Sequence, residues 1–160
     1  MNIKKYIILL FFGSIINTTS SYSFESNQLD CLVEAIYHEA RSESFGGQLA
    51  VANVILERVK RVKYPSTICE VVHAGNYWEG HIIRNKCSFS YYCDGKKEWD
   101  TIDLKALQKA YDVAVLALEG GMVESTLGAT HYHASYVTPK WSYTLERLGQ
   151  IGHHIFYVDW

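Results

Sequence analysis

Leu29-Asp30-Cys31-Leu32-Val33-Glu34-Ala35-Ile36-Tyr37-His38-Glu39-Ala40-Arg41-Ser42-Glu43 carries the pattern from which the rest of the chain is read. Leu29, Leu32, Ile36 and Ala40 follow the i, i+3, i+4, i+7 rule of an amphipathic helix. At about 100° per residue, Glu39 and Glu43 then project from the same side as Leu32 and Ile36, while Glu34, His38 and Arg41 project from the other. A buried or half-buried Glu is rare unless paired, because taking its charge out of water is costly. An inward Glu39 is therefore either a structural hydrogen-bonding group or a working acid.

Working outward from this helix, the N-terminus reads as an export signal. Lys4 and Lys5 precede an apolar run over residues 6–12, Ile15 and Ile16 extend it, and Ser21-Tyr22-Ser23 forms a small-x-small site before Phe24. That is the layout of a secretory signal peptide over residues 1–23. An uncleaved anchor fits less well, because Gly13-Ser14 break a run already shorter than the roughly 20 apolar residues that span a bilayer. The expected location is exported, periplasmic or extracellular, with no membrane span after cleavage. Cysteine usage agrees, since Cys31, Cys69, Cys87 and Cys93 all follow residue 23 and form an even set. Locality pairs Cys31 with Cys69 and Cys87 with Cys93. Zinc held by these cysteines is disfavoured, because no CxxC is present and an oxidising compartment removes thiolates.

Residues 24–160 have the length of one domain with one core. With 15 basic and 17 acidic residues, the composition gives no sign of a nucleic-acid partner or an anionic surface. The local cluster Arg58, Lys60, Arg61, Lys63 reads most simply as a solvated helix end. The 12 Tyr and 4 Trp are many for this length; aromatic faces with polar edges suit sugar rings, and an aromatic core would give the same count.

Along the chain, Ser26 or Asn27 can cap the first helix and Gly46-Gly47 can end it. A second helix carries the stripe Leu49, Ala52, Ile55, Leu56, Val59 and is stopped by Pro65. Residues 73–101 lack helical period and read as one long loop held by Cys87 and Cys93. A third helix spans residues 104–119, with Leu104, Leu107, Tyr111, Ala114, Val115 and Leu118 on one face and Gly120-Gly121 at its end. Residues 130–137 and 152–158 alternate loosely and predict two short strands.

Several stretches now line up: Cys31-Leu32 with Tyr37-His38-Glu39-Ala40-Arg41-Ser42-Glu43, residues 47–59, and residues 64–72 beginning Tyr64-Pro65. They are followed by the aromatic segment 87–95 between and beyond its cysteines, Gly128-Ala129-Thr130-His131-Tyr132-His133, and Pro139-Lys140-Trp141 with residues 151–157. In this order and spacing they resemble the SleB/CwlJ family of cell wall hydrolases, the spore cortex-lytic enzyme type. Two positions depart from the family pattern: Ser42 stands where Gly is usual, and Glu57 where Asn is usual before Arg58. No role is assigned to position 57.

The resemblance implies one small α+β catalytic domain over residues 24–160, lysozyme/lytic-transglycosylase-like, with a mainly helical lobe carrying the catalytic Glu and short antiparallel strands. It implies cleavage of peptidoglycan glycan strands between N-acetylmuramic acid and N-acetylglucosamine in the manner of a lytic transglycosylase, with Glu39 as the acid and no cofactor. Apolar surroundings would keep Glu39 protonated, as in lysozyme. Glu43 is a neighbouring charge or ligand-orienting group, with a cap or salt-bridge role as an equal alternative. An ordinary hydrolase needs a second carboxylate, for which Glu43 and Asp94 are candidates. Phe89, Tyr91, Tyr92, Tyr132, His133 and Trp141 are expected to line the sugar groove, Phe89 and Trp141 equally suiting the core. His131 and His133, two apart on a strand, share a face, whereas His153 and His154 oppose each other. That gives the rival function: a zinc amidase or peptidase drawing three ligands from His38, His73, His81, His131, His133, His153 and His154 with an acidic residue. The chain has no HExxH motif to support it. A glycan-binding module without catalysis is the non-enzymatic alternative, and the retained Glu39 argues against it.

Overall fold

The computed structural model describes residues 19–95 and 102–160, so the expected signal segment lies mostly outside them. Helix α1 spans Thr19–Ala40. Ser26 and Asn27, expected as caps, lie inside it, because no Gly or Pro in the preceding turns breaks the backbone. The exit also differs from expectation. The backbone N–H of Glu43 donates to Ala40 O at 2.9 Å, closing a turn. Ser44 then caps α2, Phe45–Lys60, by accepting from Gly47 N at 3.1 Å. Gly46-Gly47 thus open the second helix instead of ending the first, and Glu43 stands in the turn between them.

Helix α2 is the centre of the molecule. One side packs with α1, with α3 (Ile68–Val72) and with α4 (Leu104–Leu118) around Leu32, Ile36, Tyr37, Ile55, Val72 and Val113. Its other side buries Ala50, Val51 and Val54 against Ala129 and Phe156 of the sheet region. Helix α4 has nearly the expected length, but it buries Ala110, Val113, Ala114 and Ala117 while Leu104 is 75% and Leu118 46% exposed. Small side chains let α4 approach two helices closely, and this packing overrides the larger apolar residues on the neighbouring stripe.

The segment expected as a long loop contains an antiparallel hairpin, β1 (Gly75–Trp78) and β2 (His81–Cys87). Glu79 and Gly80 both have positive φ, 49° and 80°, as a tight hairpin turn with right-handed strand twist demands. Nearly every residue of this hairpin is solvent-facing, so no buried alternation marks it in the sequence. Both disulfides form in the locally paired arrangement. Cys31–Cys69 ties α1 to α3, and Cys87–Cys93 pins the aromatic turn Ser90–Tyr92 to the end of β2. The tail forms a three-stranded antiparallel sheet in the order β3 (His131–Ala134), β5 (His154–Val158), β4 (Glu146–Ile151), one strand more than the pattern predicts. Strand β4 carries Gly149 at a bulge and only half-buried apolar positions, so it lacks the β-branched signal of its neighbours. Among the described residues, no helix is long and apolar enough to cross a membrane.

Candidate active site

Glu39 occupies the last turn of α1, half-buried where the helical layer meets the sheet. The Tyr132 hydroxyl, presented from the middle of β3, donates to Glu39 Oε2 at 3.0 Å. Burial, and then the Glu39 charge, push the Tyr132 hydroxyl far above its ordinary value, so it remains a donor at any working pH. Arg58 completes the electrostatics. It is 9% exposed, its Nε donates to Thr130 O at 2.7 Å, and its guanidinium lies over the rings of Phe89 and Tyr64. Burial pulls the guanidinium down and the Glu39 charge opposes this, so Arg58 is a buried cation within electrostatic reach of the carboxylate. The surroundings of Glu39 are therefore polar and charged, not apolar as the sequence reading expects. The same reading treats Arg58 as a solvated helix end. A usable signal was present, since Arg58 continues the buried run Val51, Val54, Ile55 at helical spacing.

Arg61 and Lys63 of the basic cluster also do structural work. Arg61 bonds Glu57, Gly128 O and Asp159 O, and Lys63 bonds Asp159, so the end of α2 clamps the C-terminal residues. Glu57, given no role by sequence, holds Arg61 at 2.9 Å.

Tyr91 stacks on His38 with ring centroids 4.7 Å apart. Burial, followed by the charges of Glu34 and Glu39, pushes its hydroxyl strongly up, and that hydroxyl is buried without a hydrogen-bond partner. Tyr92, on the outer side of the same turn, stacks on His73 at 4.2 Å beside Tyr77, over a cavity of about 550 Å³ that also reaches Glu70 and Pro65. Tyr91 and Tyr132 pack partly buried against the helical core, whereas Tyr92 lines that cavity.

The other expected groove residues lie elsewhere. Phe89 is 1% exposed beneath Arg58 and belongs to the core. His133 and Trp141 sit on the opposite face of the sheet from Tyr132, because successive strand residues alternate. There Trp141 wedges between His131 and His133, and His133 Nε2 bonds the Tyr157 hydroxyl at 3.1 Å. Glu43 is 5% exposed, and both its oxygens are taken by His153, Oε2 by the backbone N–H at 3.2 Å and Oε1 by Nδ1 at 2.9 Å. Among the described residues, no group of three or more His, Cys, Asp or Glu has the arrangement to hold a metal.

The family model described as Cell Wall Hydrolase matches residues 42–157. The chain belongs to this family. Spore cortex-lytic enzymes are among the relatives of this cell wall hydrolase: that of Oceanobacillus iheyensis is 30% identical over 141 residues, covering 88% of this chain and 44% of that protein. That of Bacillus subtilis is 27% identical over 133 residues, 83% of this chain and 38% of that protein. The chain thus spans less than half the length of the curated relatives it matches. The solved catalytic domain of the germination-specific lytic transglycosylase SleB from Bacillus anthracis superposes with a TM-score of 0.62 at 27% identity, covering 89% of this chain and 99% of that one. The SleB catalytic domain of Bacillus cereus gives 0.58 at 28%, covering 82% and 90%. This cell wall hydrolase has their fold: a single domain of helices with short antiparallel strands. The family match begins three residues after Glu39, but a 141-residue match within 160 residues necessarily includes it.

Proposed function

We propose that this cell wall hydrolase cleaves the glycan strand of peptidoglycan between N-acetylmuramic acid and N-acetylglucosamine as a lytic transglycosylase, with Glu39 as acid and then base. Glu39 gives its proton to the glycosidic oxygen as the bond from C1 breaks. The resulting carboxylate takes the proton of the muramyl 6-hydroxyl as that oxygen bonds C1, and the ring closes to the 1,6-anhydro product with no water consumed. The observation that carries the reading is the Tyr132 hydroxyl 3.0 Å from Glu39 Oε2, with buried Arg58 alongside. Both groups favour the negative charge that Glu39 acquires when it releases its proton, so they act where charge develops. Of the two candidate second carboxylates, Glu43 has both oxygens engaged by His153 and is poorly suited to activate a water.

Tyr91 and Tyr92 are proposed to meet the sugar rings beside the scissile bond. Residues 1–23 are proposed to be a secretory signal, which would bring residues 24–160 to the periplasm or exterior, where the polymer lies. Digestion of purified peptidoglycan followed by mass spectrometry tests the chemistry: the anhydro product is lighter than the hydrolysed one by one water. Glu39→Gln is expected to abolish release with the fold intact. Near-normal turnover by that variant, or products with the full mass of hydrolysis, would sink the assignment.

A further inference from the structure

Glu43 sits in the turn four residues beyond Glu39, buried, and the molecule is built around its carboxylate. A Cβ on Gly47 would lie 3.0 Å from Glu43 Cβ and 3.3 Å from Oε2, and a Cβ on Gly152 would collide with Oε2 outright. Two glycines, one from α2 and one from the β4–β5 turn, therefore leave room for this one side chain. Lys109 of α4 donates to the Glu43 carbonyl at 2.6 Å, fixing the turn from a third side. Hydrogen bonds leave the carboxylate for a single residue, His153, at the tip of the hairpin opposite.

His153 passes the constraint on to the site. Its carbonyl accepts from Ser135 N at 2.7 Å, which holds the end of β3. The next residue, His154, pairs with Ala134 and sets its ring edge-on to Tyr132 with centroids 5.1 Å apart. Tyr132 in turn bonds Glu39. A closed circuit thus runs from Glu39 through the turn to Glu43, across to His153 and His154, along β3 to Tyr132, and back to Glu39.

We propose that Glu43 is a positioning residue: its buried carboxylate locks the α1–α2 turn to the β4–β5 hairpin and thereby sets Tyr132 against Glu39. This rests on the assignment of Glu39 as acid and base. The carboxylate is needed as a pair of hydrogen-bonding atoms, not as a base or a substrate ligand. An ionised carboxylate only accepts, so His153 Nδ1 carries the proton of that bond. A glutamine can replace it, its oxygen accepting from His153 N–H and its amide donating to Nδ1 in the other tautomer.

The test compares Glu43→Ala, Glu43→Gln, Gly152→Ala and Glu39→Gln, with folding checked by circular dichroism and with kcat and KM measured on soluble peptidoglycan strands. Glu43→Ala is expected to lower kcat roughly ten- to a hundredfold through misplacement of the reacting groups, with KM within about twofold. Glu43→Gln should restore most of that loss. Gly152→Ala, which pushes against the carboxylate and also strains a turn held at φ 54°, should lower kcat at least as far as Glu43→Ala does, and it carries the test where Glu43→Ala fails to fold. Wild-type kcat in folded Glu43→Ala or Gly152→Ala, with only the melting temperature lowered, would overturn the proposal. So would a Glu43→Gln variant as inactive as Glu39→Gln, since the charge itself would then be required. An active Glu39→Gln would instead refute the acid/base assignment, so the two failures are separable.

Discussion

Replacing Tyr132 with Phe removes one oxygen and leaves the ring against Phe156 and His154. The lost bond is the 3.0 Å donation to Glu39 Oε2. A hydrogen bond to a charged group contributes about 1.5–3 kcal/mol and one to a neutral group about 1 kcal/mol. Only the excess that develops as Glu39 becomes anionic lowers the barrier to proton release. That excess is about 0.5–2 kcal/mol, or roughly 2- to 30-fold in kcat at about 1.4 kcal/mol per tenfold. KM should change little, because the hydroxyl faces the acid and not the sugar. The assay is the initial rate of product release from soluble peptidoglycan strands at saturating concentration, with circular dichroism confirming the fold. An unchanged kcat would refute the claim that Tyr132 stabilises the developing carboxylate. A loss as deep as that of Glu39→Gln would refute it in the other direction, because it would make the tyrosine a proton carrier, a role its strongly raised hydroxyl pKa opposes.

Two further predictions follow from the same structure. The Cys31–Cys69 bridge spans 38 residues and Cys87–Cys93 spans 6, for which the chain-entropy model gives about 4 and about 2 kcal/mol, so replacing the first pair with Ser should lower the melting temperature more. Replacing Cys87 and Cys93 should instead cost turnover, because the turn that presents Tyr91 and Tyr92 is then free to wander; unchanged kcat in that variant would refute the argument. Stability should fall as pH is lowered from about 6.5 towards 4, because burial first and then Arg58 push His131 down from 6.5 to about 4, and burial also lowers His73 and His154. The unfolded chain binds more protons across that window, so a denaturation midpoint that is flat or rises from pH 6.5 to 4.5 would contradict the sign.

Local signals and long-range signals behaved differently in this chain. The apolar spacing of residues 29–40 puts Glu39 inward, and the structure keeps it half-buried at the end of α1. Ser44, by contrast, was a stronger punctuation mark than the Gly46-Gly47 pair that begins two residues on, and reading the glycines as a stop moved Glu43 from its turn onto a helix face. The β1–β2 hairpin left no periodic trace because almost none of it is buried, although Glu79-Gly80 offered a turn signal. Helix α4 shows the limit of counting large apolar residues: where two helices are close, small residues make the contact, and Leu104 stays in water.

The groups around Glu39 were the least legible, because their partners are remote in the chain. Tyr132 is 93 residues from Glu39, and Thr130, which accepts from Arg58, is 72 residues from it. Pattern reading assigns each residue by its own segment, so a cation in a basic run reads as solvated, and Tyr132 is expected at a sugar groove without its bond to Glu39 being foreseen. Burial changes both meanings. Once α2 is buried on two sides, Arg58 is largely withdrawn from water and is compensated by carbonyl oxygen, aromatic faces and the charge of Glu39. Once β3 alternates, Tyr132 and His133 are committed to opposite faces, so the late motif cannot place both beside Glu39. It follows that the proposed acid is shaped by the packing of the sheet on the helices, and that a change far from Glu39 that shifts this packing by an ångström should cost rate before it costs stability.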